Sequence, residues 1–147
     1  MKTQKLISKT RIKRIREQGY FNKTDREISA IAFGNRFAYI LCSTLLAIGV
    51  ITANIPILSI MFLIAVLGFI LPYHPFDYLY NNVLAKRMKK QRIPPRSEQL
   101  KFACTIASIW IITTMYFFYE DFMVAGYITG SMLMAVAFAV SYLDYCL

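Results

Sequence analysis

Residues 37–71 read FAYILCSTLLAIGVITANIPILSIMFLIAVLGFIL, with no charged side chain in the stretch. Its two halves, 37–53 and 55–71, are each close to the roughly 20 residues that cross about 30 Å of hydrocarbon as a helix. Asn54 separates them, and Pro56 falls in the first turn of the second run, where a missing N–H costs little. Pro72 and Pro75 close that run. A bilayer supplies no partners for backbone polar groups, and the stretch lacks the period-two alternation of a barrel strand, so each half is expected to be a helix.

Further along, 102–119 and 122–143 repeat the arrangement around Glu120-Asp121. The whole chain agrees: of 147 residues, 57% are hydrophobic and 17% charged, with mean hydropathy +0.46. Soluble domains average about 45–50% apolar and about 25% charged, so this balance indicates a bilayer and excludes disorder, a coiled coil and a disulfide scaffold. The expected fold is all-α, a polytopic membrane protein with spans at about 28–53, 55–72, 100–119 and 122–143. These form two antiparallel hairpins joined by a basic interfacial helix, making a domain over 24–147 behind a basic arm over 1–23.

Seventeen Lys and Arg against eight Asp and Glu give a net charge of +9, which in a soluble protein would point to nucleic acid. Their positions say otherwise. Ten precede the first long apolar run and seven lie between Lys86 and Lys101, leaving the turns at Asn54 and Glu120-Asp121 without any. This is the positive-inside pattern of a multi-pass protein of the bacterial inner membrane with both termini cytoplasmic. Arg36, Lys86, Arg87, Lys89, Lys90 and Lys101 are the interfacial cations, anionic inner-leaflet lipids their partners, and no nucleic acid is expected.

The arm reads as disordered or weakly helical, held at that leaflet, and its apolar content comes too late for a secretory signal. Thr24 and Glu27 fit a capping box that starts the first long helix. Asp77 is a cap candidate for the interfacial helix, whose Tyr78, Leu79, Val83, Leu84 and Met88 alternate with the basic residues. Pro94-Pro95 should end that helix, and Ser97 should cap the third span.

Topology brings chemistry-bearing residues to one side. Cys42 lies six residues past Arg36, about 9 Å into the membrane at 1.5 Å per residue. Cys104 follows Lys101 closely, Cys146 follows the last span, and His74 and Asp77 follow the second, so all three cysteines and the only histidine share a leaflet. A set of Cys42, Cys104, Cys146 and His74 has donors suited to zinc or copper(I). The same cysteines, lacking any local CxxC spacing, equally suit packing as small hydrophobes. Asp144 calls for a cation, Arg36 or Lys101, either as a bridge tying hairpins or as an ion-coupling acid. No charge sits in the central third of a span, which argues against a proton pump or a midplane site for a charged substrate. Gly126 and Gly130 form a GxxxG match that offers a face for homo-oligomers.

Neither a nucleophile–base pair nor a glycine-rich phosphate loop is present, so an ordinary hydrolase or nucleotide enzyme is not expected, and no cofactor is required. The readings left are a non-enzymatic scaffold or oligomeric channel or carrier, and a thiol-redox, sulfur- or metal-handling membrane protein.

The halves echo one another: Arg36-Phe37-Ala38 recurs as Lys101-Phe102-Ala103, and Asp77-Tyr78 as Asp144-Tyr145, through duplication or shared bilayer chemistry. Asn35-Arg36-Phe37, Pro95, Lys101-Phe102-Ala103 and a cysteine just after the last span together resemble the bacterial membrane family called domain of unknown function 4395, over roughly 30–147. The resemblance implies a four-helix integral membrane protein with no established activity. It also implies a paired-cysteine motif, onto whose first position Cys146 falls; Leu147 follows, without the second cysteine.

Overall fold

A computed structural model describes residues 5–144, and among them every regular element is helical. The elements are α1 (Lys9–Glu17), α2 (Asp25–Ile51), α3 (Ile55–Ile70), α4 (Pro75–Leu79), α5 (Ala85–Arg87), α6 (Glu98–Tyr119) and α7 (Met123–Leu143). A π-helical turn, Tyr80–Leu84, joins α4 to α5.

Local chemistry sets the boundaries. Thr24 and Glu27 make the expected capping box, with Thr24 N donating to Glu27 Oε2 at 2.7 Å and Glu27 N to Thr24 Oγ1 at 3.3 Å. Ser97 Oγ caps α6 by accepting from Leu100 N, and Asn54 Oδ1 caps α3 by accepting from Ile57 N. Both tight turns close through a left-handed residue. Ala53 (φ 47°) and Asp121 (φ 58°) let Asn54 N reach Gly49 O and Phe122 N reach Phe117 O, which satisfies the last carbonyls of α2 and α6. Chain direction thereby reverses within three or four residues.

The four long helices pack in a ring, α2 on α3, α3 on α6, α6 on α7 and α7 on α2. Leu46, Val50, Leu58, Met61, Ile111 and Leu133 fill the middle of the bundle. The outside is apolar as well: Ile51, Leu63, Ile109 and Val124 are more than half exposed, which suits lipid and not water.

Three helices, α2, α6 and α7, are long and apolar enough to cross a membrane; α3 counts as a fourth only with Pro75–Arg87, from which it is bent by 81°. The reason is Pro72. It disfavours helical backbone at Leu71 (φ −82°, ψ 152°), so α3 stops at Ile70 after 16 residues, about 24 Å. The sequence had extended that span to residue 72.

The bend corrects one cap. His74, and not Asp77, is the N-cap of α4; Asp77 occupies the third position, where Oδ2 accepts from His74 N at 3.3 Å. The segment then exposes Tyr78, Leu79, Val83 and Met88 together with Lys86, Arg87, Lys89 and Lys90. It ends at Arg87, before Pro94-Pro95, because Lys89 (φ 52°) turns the chain and Lys90 N closes on Ala85 O.

The arm is not loose over its described part. α1 buries Ile12 and Ile15 against Ile28, Ile31, Ala32 and Leu100. Its few aliphatics recur three residues apart, so one helical face docks on α2 and α6.

Candidate functional site

At the end of the bundle that carries the basic residues, the α3–α4 bend delivers His74 and Asp77 between α2 and the start of α6. Arg96 meets Asp77 through two parallel bonds, Nε to Oδ2 at 2.5 Å and Nη2 to Oδ1 at 2.6 Å, with both side chains buried. Its Nη1 donates to Tyr39 Oη at 3.0 Å, and Arg96 N donates to Pro72 O at 2.8 Å. The fork geometry of guanidinium and carboxylate explains why arginine and not lysine serves here. Burial opposes the charge of Arg96, but Tyr39 and Asp77 hold it protonated.

His74 stands beside this pair. Nδ1 accepts from Phe76 N at 3.3 Å, so in the neutral ring Nε2 carries the proton; Nε2 lies 3.8 Å from Cys42 Sγ. Burial, then the Arg96 charge, push the imidazole down to about 4, so the ring is neutral at ordinary pH. A protonated Nε2 cannot take a proton from Cys42, so this contact does not make the base-activated thiolate that catalysis needs.

Gly68 is what lets the imidazole in. A Cβ there would lie 2.7 Å from His74 Cδ2 and 3.1 Å from Cys104 Sγ, so His74 and Cys104 both press on the bare backbone of α3. Cys42, Cys104 and His74, expected on one leaflet, are thus neighbours in space. Among the described residues, no three His, Cys, Asp or Glu side chains are grouped to hold a metal ion, and Cys146 lies outside those residues.

Above them, a cavity of about 290 Å³ runs into the bundle between α2, α3, α6 and α7. Leu46, Met61, Ala107, Trp110 and Val136 contribute to its apolar wall, while Tyr39, Cys42, His74, Arg96 and Cys104 bring polar groups to it. Trp110 Nε1 donates to Thr129 O at 3.0 Å, which fixes the indole with its polar atom satisfied.

Asp144 belongs to a second cluster. Its Oδ2 accepts from Arg11 Nε at 2.6 Å and Arg36 Nη2 at 2.9 Å, and its backbone oxygen from Gln18 Nε2 at 3.1 Å. Arg36 is therefore the expected partner, while Lys101 reaches Glu98 instead, at 3.4 Å. Arg14 and Arg36 also donate to Leu143 O and Tyr142 O, neutralising the carbonyl end of α7. Lys86, Arg87, Lys89 and Lys90 stay on the surface, where Lys90 Nζ sits 3.6 Å above the Phe33 ring.

Arg96, Tyr39, Gln18 and Arg11 were not singled out from sequence. Arg96 did carry a signal, since it is separated from the run of basic residues by Pro94-Pro95 and precedes the cap Ser97. Gly126 and Gly130, a dimer motif by spacing, pack internally, the first on Phe118 and the second on Val50 and Thr114.

No curated protein matches the chain, nor does any solved structure. A family model described as Domain of unknown function (DUF4395) matches residues 33–147, most of the chain and all the cavity-lining residues, so the chain belongs to that family.

Proposed function

We propose that this is a non-enzymatic, four-span membrane protein that admits a small lipid-soluble solute between its helices, as a carrier or binding module. The observation that supports this reading is the 290 Å³ cavity within one chain, apolar along its wall and polar at His74, Arg96 and the two cysteines. Ligand sites have this composition, an apolar lining with a few placed polar groups. In this reading α2, α3, α6 and α7 are the spans and the basic blocks face the cytoplasm, in a bacterial inner membrane. The exposed face of Pro75–Arg87 lies on anionic headgroups there. Side chains of α2, α3, α6 and α7 of one chain line this space.

Trp110 is the only tryptophan and borders the cavity, which supplies the test. Bromobenzene added to the protein in maltoside micelles should quench its fluorescence saturably. Ala107→Phe, which fills the space, should leave only the weak linear quenching of a partitioned compound. Linear quenching of equal size in both proteins would refute the cavity as a binding site.

A further inference from the structure

Two properties of the cavity's polar end select a ligand. The first is charge. Arg96 is neutralised by Asp77 through two bonds, and no other ionised side chain lines the space. A charged headgroup entering there would give up its hydration and find no counter-charge. The second is hydrogen-bond polarity. With Nδ1 engaged by Phe76 N, His74 offers a donor at Nε2, whose nearest recorded partner is a weak one, Cys42 Sγ at 3.8 Å. Cys42 and Cys104 add two S–H groups, and Arg96 is donor throughout. A polar end with no net charge, where the His74 Nε2–H has only a sulfur beside it, is complementary to an uncharged acceptor.

We infer that the cavity takes an uncharged lipid-soluble carbonyl compound, its carbonyl oxygen accepting from His74 Nε2 between Cys42 and Cys104 and its apolar body lying along Trp110. This rests on the proposed function and specifies its ligand class. An apolar cavity of about 150 Å³ holds a benzene ring, so 290 Å³ accommodates about twelve non-hydrogen atoms. Gly68 contributes to selectivity, because it permits the imidazole and the Cys104 thiol to meet at one place.

Three probes of similar length separate the possibilities: methyl nonyl ketone, undecane and undecyl sulfonate, each competing with bromobenzene for Trp110 in the wild-type protein. The ketone should displace bromobenzene about fivefold more effectively than undecane, the worth of one net hydrogen bond, and the sulfonate should be weakest. The infrared band of an isotope-labelled ketone carbonyl should move to lower frequency on binding. In His74→Asn, which keeps a good N-cap residue but removes the Nε2 donor, the preference for ketone over undecane should vanish. Equal displacement by undecane, stronger displacement by the sulfonate, or an unshifted carbonyl band overturns the ligand class while leaving the cavity reading intact. If bromobenzene itself shows no saturable quenching, the cavity reading fails and this inference with it.

Discussion

Asp77 and Asp144 each follow the returning helix of a hairpin, each is followed by tyrosine, and each is buried against arginine, yet the two sites are built differently. Asp77 is matched oxygen for oxygen by Arg96, and the two side chains are 0% and 3% exposed. Asp144 is 2% exposed, but its cations, Arg11 and Arg36, are 24% and 30% exposed and both use Oδ2, while Oδ1 is buried with no partner among the described residues. The first is a closed pair, shielded from solvent on both sides of the contact. The second is a latch whose cations remain about a quarter to a third exposed and which ties α1 to the end of α7. A carboxylate in the same place in two hairpins therefore does not fix the role; the number of oxygens satisfied and the wetness of the partner do.

Breaking the closed pair should have the largest effect. Asp77→Ala leaves the Arg96 charge buried without its partner and should cost about 3–5 kcal/mol, read as loss of the folded protein or a large fall in thermal midpoint in detergent. Asp77→Leu combined with Arg96→Met removes both charges and should recover most of that loss. If the double variant is no better than the single one, the pair is not a self-contained unit.

A pH titration sharpens the same contrast. His74 goes from its ordinary 6.5 in the unfolded chain to about 4 when folded, so between those values the unfolded state binds the extra proton. Stability should therefore fall as pH drops through that window, by up to about 3 kcal/mol, and be fully present above it. His74→Asn should flatten the slope of thermal midpoint against pH over this range. An equally steep slope in the variant would move the titration to another group.

The smallest effect is expected at the latch. Asp144→Ala frees two arginines that already reach solvent, so the cost should be about 1–2 kcal/mol. Because those cations are exposed, the difference from wild type should shrink as salt is raised, whereas that of Asp77→Ala should hardly change. A salt-independent loss at Asp144 would mean that its site is as closed as the other.

Helix starts and tight turns were legible in the sequence because their causes are local. Thr24 with Glu27, and Ser97, act within three or four residues and cap their helices as expected; Pro56 stands in the first turn of α3, and Asn54, expected only as a turn, caps that helix. The arm was misjudged for the opposite reason: Ile12 and Ile15 look sparse until Ile28, Ile31 and Leu100 arrive from distant positions to cover them. The GxxxG spacing at Gly126 and Gly130 showed that something packs closely, but not that Phe118, Val50 and Thr114 of the same chain do so. Of the candidate site, chain order suggested only a shared side for Cys42, Cys104, His74 and Asp77; the structure places Cys42 and Cys104 beside His74, whose backbone N–H donates to Asp77. Lateral neighbours do not follow from chain order, and so Asp144 fell into a separate cluster and Arg96 went unnoticed.

By itself the sequence determined that this chain is helical, that three of its helices reach membrane length, and where most of them begin and end, because solvent preference and capping are properties of short segments. Only the tertiary structure decided that Arg96 closes on Asp77, that α1 docks on the bundle, and that a cavity opens beside His74. Those outcomes depend on which helix faces which, and that is set by side-chain shape and charge pairing among residues as far apart as Arg11 and Asp144.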